Sequence, residues 1–220
     1  MKLSEDDKPK RRYHAPQREE AALRRREAII AAAHRRFVER GWSGTTVKHV
    51  AETADVSPKT VEALFGTKAG LLRAAVDFAI RGDIGTTPVA ERESFRRVRA
   101  APTAARMLDL HAAHLRQITP RSAAIAWVVE HAAAADGSAA EVWDRMNRNL
   151  RFAVASAAEL LGTKAGHNRT LSRSETEAAF LIAFDWGTYR TLSRFARLDD
   201  DAYEAWLRRY YAATLLDRPS

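Results

Sequence analysis

Ser57, Lys59 and Thr60 stand together around Pro58 at the opening of a short helical stretch, and each ends in a hydroxyl or an ammonium group. At an exposed helix N-terminus such groups suit hydrogen bonds to base edges and phosphate oxygens rather than bond-breaking chemistry. Other constellations point to less. His111 and His114 share a helix face at i, i+3 and His131 follows, a set that could hold a metal, but solvated or core histidines account for it better. The chain has no Cys, which excludes disulfides, cysteine nucleophiles and thiolate metal sites together. Gly-x-Ser-x-Gly, dinucleotide and His-Glu-x-x-His patterns do not occur, and scattered Ser, His and Asp residues define no triad. Carboxylates such as Asp109 and Glu130 read as exposed helix faces. The expectation is a protein without catalytic residues, bound metal or cofactor.

The elements that must position Ser57, Lys59 and Thr60 are two short helices, 46–54 and 57–65, joined at Asp55-Val56. That spacing is the one a helix-turn-helix needs to lay its second helix in a major groove. Ala51 and Ala54 are small enough for close approach, and Val50, Val56, Val61 and Leu64 are expected to fill the shared core. Ser57 is the cap and Pro58 takes the first helical position, where a missing N–H costs nothing. A longer helix precedes the pair, from about Gln17 to Arg40, with Ile29, Ile30, Ala33 and Phe37 inward and Gly41 as its stop. A helix capped by Thr67 follows to about Arg81, with Leu71, Leu72, Ala75, Val76 and Ala79 inward. Residues 1–16 carry Lys8, Lys10, Arg11 and Arg12 beside Pro9 and Pro16 and read as a mobile basic arm. A short helix pair alone is also common in plain bundles; the arm and the charge distribution favour the DNA reader.

The charge is uneven. Residues 1–82 hold 17 Lys/Arg against 11 Asp/Glu, a balance of +6, and the other 19 Lys/Arg against 17 Asp/Glu leave +2 of the total +8. This is the footprint of a nucleic-acid-facing segment. Apolar residues at 46% make the chain an ordinary globular one. The charged start Met1–Asp7 lacks an apolar core, and the longest strongly apolar stretch, Ala123 to Val129, is too short to span a bilayer, so a cytoplasmic protein without a membrane segment is expected.

The run from Thr45 through Leu72, Thr-Thr-Val-Lys-His-Val-Ala-Glu-Thr-Ala-Asp-Val-Ser-Pro-Lys-Thr-Val-Glu-Ala-Leu-Phe-Gly-Thr-Lys-Ala-Gly-Leu-Leu, resembles the signature of the TetR family of bacterial transcriptional regulators. Phe37 and Gly41-Trp42 also fall where that family places an aromatic and a Gly-aromatic pair, so the match covers about residues 27–75. The resemblance implies a phosphate contact from Thr46, groove or groove-wall positions for Lys48, Ser57, Pro58, Lys59 and Thr60, and a phosphate contact from Lys68 at a helix N-terminus. Two departures stand out. Asp55 occupies the usual Gly position at the turn and is expected to tolerate a left-handed backbone. Glu62 and Leu64 occupy positions usually held by tyrosines; an anionic Glu62 is repelled by phosphate, and either pairs with Lys59 or accepts from a cytosine amino group.

Beyond a Gly- and Thr-rich break at 82–88, helices are expected at 91–99, 103–118, 120–135, 139–161, 175–195 and 200–216, with capping boxes at Ser138/Glu141 and Ser174/Glu177 and a polar loop at 162–173. The whole is an all-α fold of about ten helices: a helix-turn-helix domain at 17–82 and a larger bundle at 83–220. The pentapeptide Gly-Thr-Lys-Ala-Gly at 66–70 recurs at 162–166; it lacks the order of a phosphate-binding loop and is read as coincidence. The resemblance implies a homodimer through helices 175–195 and 200–216, where Ala178, Ala179, Ile182, Ala183 and Gly187 form a small-residue stripe and Tyr203, Trp206, Tyr210 and Leu215 add bulk. The alternative for that stripe is a face buried inside one subunit. It also implies a small-molecule effector in the bundle, for which Trp127, Trp143, Phe152, Phe180, Trp186 and Tyr189 are the candidate lining residues. The functional expectation is a ligand-responsive repressor bound as a dimer to double-stranded DNA at a palindromic operator. The alternatives are a helical interaction protein of the same fold that has lost specific DNA binding, with Glu62 as its best support, and an all-helical enzyme.

Overall fold

A computed structural model describes residues 15–85, 87 and 91–217, with side chains from Arg18 onward, so most of the basic arm at 1–16 lies outside the described residues. Ten helices are present among them: α1 (Ala15–Arg40), α2 (Val47–Thr53), α3 (Pro58–Phe65), α4 (Lys68–Arg81), α5 (Glu93–Arg99), α6 (Ala104–Ala133), α7 (Gly137–Gly162), α8 (Arg173–Phe184), α9 (Trp186–Arg194) and α10 (Asp200–Leu215).

The count agrees with the sequence reading, but two boundaries differ. Residues 103–118 and 120–135 form one helix, α6, which runs straight through Pro120. Proline removes the N–H that the carbonyl of Arg116 would accept and disfavours helical backbone at Thr119. The helix continues because one face stays packed: Leu115, Thr119, Ser122, Ala123 and Ala126 are all buried. Ser122 Oγ donates to the carbonyls of Ile118 at 2.9 Å and Thr119 at 3.3 Å, satisfying acceptors beside the gap. Conversely, 175–195 is not one helix. Asp185 takes an extended ψ of 124°, ends α8, and caps α9 by accepting from the Thr188 N–H at 2.6 Å.

Caps further along also differ. Asp136, not Ser138, caps α7, accepting from the N–H groups of Ser138 and Ala139. The capping box of α8 is Ser172 with Glu175 rather than Ser174 with Glu177: Ser172 N–H donates to Glu175 Oε2 at 2.7 Å, and Glu175 N–H donates to Ser172 Oγ at 3.3 Å.

Two hydrophobic cores organise the molecule. The first joins α1–α4 to the C-terminal half of α6 and the start of α7: Phe37, Val50, Ala51, Val61, Leu71 and Leu72 share it with Ile125, Val129, Val142 and Met146. The helix-turn-helix is therefore seated on the bundle by continuous apolar packing. The second core fills the bundle with Met107, Leu115, Leu161, Phe180, Tyr203, Leu207 and Tyr211. There two of the small residues of α8 serve one subunit: Tyr203 Oη donates to the Ala183 carbonyl and Tyr210 Oη to that of Ala179, so α10 packs on α8 through Ala179 and Ala183, while Ala178, Ile182 and Gly187 stay exposed. Tyr203 and Leu215 are buried in the same core, so the intrasubunit alternative holds for these four residues of that face. Leu181, Ile182 and Phe195 are the large apolar side chains of this region left exposed.

Candidate nucleic-acid interface

The turn from α1 into α2 is held from below by Thr45, wholly buried, whose Oγ1 donates to the carbonyls of Gly41 at 2.8 Å and Arg36 at 3.0 Å. Gly41 has φ 66°, the left-handed conformation that lets the chain leave α1. Thr46, Ser57 and Thr67 are each extended N-caps, accepting from the N–H of His49, Thr60 and Gly70 respectively. Three successive helices thus start at a hydroxyl cap.

Between α2 and α3, Asp55 has φ 52°. The left-handed turn expected of it is present, and Val56 N–H donates to the Ala51 carbonyl at 3.0 Å to close it. Val50, Ala51 and Val61 are buried and Val56 packs against them, but Leu64 is 40% exposed and does not join their core. Phe65 takes that place in the sequence: it packs on the core, with the Arg26 guanidinium 4.8 Å from its ring centre.

The polar set lies on the outside of this scaffold. Thr46, Lys48, Ser57, Pro58 and Lys59 are exposed and Thr60 is half-buried, its Oγ1 2.9 Å from Ser57 Oγ. Glu62 is exposed as well, and no ion pair joins it to Lys59 among the described residues. A lysine three residues N-terminal to a glutamate is the weaker order for such a pair, because each charge faces the wrong end of the helix dipole.

Lys68 begins α4 with its ammonium over an indole ring. Nζ sits 4.0 Å from the centre of the Trp42 ring, which stacks at 12° on Phe37. Burial holds the Lys68 ammonium below its ordinary range, and the charge of Asp136 works in the opposite direction. Trp42 Nε1 in turn donates to Asp136 Oδ2 at 3.1 Å. The Ser138 hydroxyl, then the Ala139 N–H, keep that carboxyl below the usual carboxylate range, with Trp42 adding to them. One chain of contacts therefore connects the start of α4 to the start of α7, across the junction between the helix-turn-helix and the bundle. A second link lies alongside: Arg145 of α7 pairs with Asp77 of α4 at 3.1 Å. Sequence reasoning marked Trp42 as an aromatic position but missed Asp136, whose only local signal is a possible cap before Gly137.

In the bundle, a cavity of about 470 Å³ opens between α6, α7 and the α8–α9 joint. Of the six candidate lining residues, Trp127, Trp143 and Trp186 border it. Phe152 is 76% exposed on the outer face of α7, and Phe180 is wholly buried in the second core. Tyr189 packs edge-on to Tyr203 with its hydroxyl donating to Asp200, so these three do not border the cavity. Helical spacing groups aromatic side chains by face but does not say which face the neighbouring helix occupies.

The three histidines do not form one site. His111 is buried with Nδ1 2.8 Å from Tyr211 Oη, His114 packs edge-on to Phe95, and His131 lies under Trp127 with Nδ1 2.8 Å from the Trp127 carbonyl. No group of three or more potential metal ligands comes together among the described residues. No helix among them is long and apolar enough to cross a membrane.

Residues 29–75 match the family model described as bacterial regulatory proteins, tetR family. No curated protein matches the sequence. Among solved structures, NalD, the secondary repressor of the MexAB-OprM multidrug efflux pump in Pseudomonas aeruginosa, is similar at TM-score 0.67 and 19% identity, covering 90% of this chain and 98% of that one. A protein from Saccharomonospora viridis, described as a transcriptional regulator in complex with choline, gives TM-score 0.66 at 14% identity over 90% of this chain and 100% of its own. A protein described as a TetR-family transcriptional regulator from Rhodococcus sp. gives 0.62 at 19% identity over 87% and 98%. These likenesses are of fold, and they span nearly the whole chain. Residues 29–75 thus match the tetR family of bacterial regulatory proteins as a helix-turn-helix module, and the ten-helix fold in which that module is seated is the fold of these solved structures.

Proposed function

We propose that the protein is a ligand-responsive repressor that binds a palindromic operator as a homodimer. The observation that carries this reading is the exposed polar face of α3. Ser57, Lys59 and Thr60 stand at the N-terminal end of a helix whose apolar side is anchored by Val61 and whose start is fixed by a hydroxyl cap. Lys59 has no ion-pair partner among the described residues, so its ammonium is available to guanine O6 and N7 or to a phosphate. Thr46, Lys48 and Lys68 flank α3 and serve as backbone contacts that set register without carrying sequence information.

One short helix gives little affinity, whereas two copies of α3 roughly 34 Å apart read half-sites in successive major grooves. A homodimer through 175–195 and 200–216 agrees with Leu181, Ile182 and Phe195 remaining exposed on that side of the subunit, the first two also bordering the bundle cavity. An effector would act by binding unequally to the two module spacings. The cavity bordered by Trp127, Trp143 and Trp186 is the candidate site, and the choline held by the Saccharomonospora viridis protein supports a small-molecule effector in this fold. The contacts Lys68–Trp42–Asp136 and Asp77–Arg145 are the side-chain links by which a shift of α7 would reach α4 and the helix-turn-helix.

The test is selection of bound fragments from the source genome with the full-length protein. The reading expects fragments sharing an inverted repeat, bound by one dimer per repeat. Fragments retained with no common sequence would refute it and favour the interaction protein.

A further inference from the structure

We propose that the bundle cavity recognises an organic cation, with the faces of Trp127, Trp143 and Trp186 and the carboxylates of Glu130 and Asp185 as its recognition groups. The inference rests on reading the bundle as the effector domain and names the chemical class of the effector.

The size is suitable: about 470 Å³ is within the range of pockets for drug-sized molecules. The lining is selective by charge. Three indoles meet here, Trp143 and Trp186 with ring centres 6.4 Å apart and tilted by 46°. Trp186 Nε1 donates to Ser122 Oγ at 3.0 Å, which fixes the ring against α6 before any ligand arrives. The face of an indole carries negative potential and attracts cations. Glu130 and Asp185 border the same space, and neither has an ion-pair partner among the described residues. Asp185 Oδ2 is occupied in capping α9 through Thr188, while Oδ1 takes no part in that cap.

The protein already supplies a cation of its own. The Arg190 guanidinium lies 3.3 Å from the centre of the Trp127 ring, with no carboxylate within ion-pair distance among the described residues. Two carboxylates against one guanidinium leave the lining at −1. An anionic ligand would meet three indoles and two carboxylates with only Arg190 to pair with, whereas a cation replaces Arg190 on the Trp127 face and gains both carboxylates. Half-exposed Arg190 can swing into water when displaced. Asp185 is also the residue at which α8 ends and α9 begins, so a cation drawn to it binds at the joint between those two helices.

Three probes of similar shape test this on the full-length protein by calorimetry and tryptophan fluorescence: benzyltrimethylammonium, its neutral analogue neopentylbenzene, and benzenesulfonate. The cation should bind at least tenfold more tightly than either of the others. Trp127→Leu and Glu130→Gln, both at exposed positions, should weaken the cation roughly 3- to 30-fold. Arg190→Gln should strengthen it by removing the internal competitor. Equal binding of the neutral or anionic probe, weakened cation binding in Arg190→Gln, or no binding of any probe would overturn the proposal. Binding of the selected operator fragment is measured on the same samples. If it persists while the cation fails, only the ligand class is lost; if no operator is bound, the regulator reading itself fails.

Discussion

His111 is expected to make folding of this protein sensitive to mild acid. Its imidazole is buried among Phe180, Phe184 and Tyr211, bonded to the Tyr211 hydroxyl at 2.8 Å. Burial, and secondarily the charge of His114, push its pKa down to about 3. In the unfolded chain the same group titrates at about 6.5. Above pH 6.5 it is neutral in both states and contributes no pH dependence. As pH falls below 6.5 the unfolded chain takes up a proton that the folded protein refuses, so stability is lost progressively down to about pH 3. At pH 5, 1.5 units below the unfolded pKa, the loss from this one group is about 2 kcal/mol. For a chain of this size that lowers Tm by roughly 4–8 °C between pH 7.5 and 5. Replacing His111 alone by Phe strands the buried Tyr211 hydroxyl at a cost of about 1–3 kcal/mol, so the informative variant is His111→Phe with Tyr211→Phe, in which both polar partners leave together. Calorimetry across pH 5–7.5 should find the double variant close to the parent at pH 7.5 and less acid-sensitive by that 4–8 °C. His34 and His114 are also held low by burial and keep a residual slope in the variant. An unchanged acid drop in the double variant would refute the assignment to His111.

Lys68→Met should lower the salt dependence of operator binding by about one unit of log–log slope per subunit while leaving the preferred sequence unchanged, as a phosphate contact requires. A changed sequence preference in a titration against base-substituted operators would instead make Lys68 a base reader. Asp55→Gly, at φ 52°, should raise stability by up to about 1 kcal/mol in urea denaturation, since glycine adopts that conformation without the steric cost of a side chain. Asp55→Val should lower stability by about 1–2 kcal/mol, and equal stability of the two variants would contradict a backbone origin.

Much of the N-terminal module was legible because its signals are local. Hydroxyl caps at Ser57 and Thr67, the apolar faces of α1 and α4, and the left-handed turn at Asp55 all depend on residues within a turn or two. The bundle was less so, because tertiary packing decided against local chemistry twice in opposite senses. Pro120 would end an isolated helix, yet a continuous buried face carries α6 through it; nothing in 175–195 breaks a helix outright, yet Asp185 caps a new one. Those two differences cancel in the helix count. The repeated Gly-Thr-Lys-Ala-Gly makes the point within one chain: at 66–70 it starts α4 because Leu71 and Leu72 find a core, and at 162–166 it leaves α7 for a loop. Three of the six aromatic candidates border the cavity because lining depends on which helix stands opposite, and pattern alone does not carry that. Asp136 was invisible as the partner of Trp42, since the two lie 94 residues apart.

A regulator of this kind must read base edges with the N-terminal end of α3. The most direct measurement is the affinity of the full-length protein for its best selected fragment and for a scrambled copy, across a salt series, beside Lys59→Ala. Expected are steep salt dependence on both duplexes, a preference for the selected fragment of at least a thousandfold in the parent, and a preference cut about 5- to 150-fold per half-site in the variant. Equal affinity for the two duplexes in the parent, or an undiminished preference in Lys59→Ala, would contradict base reading by α3.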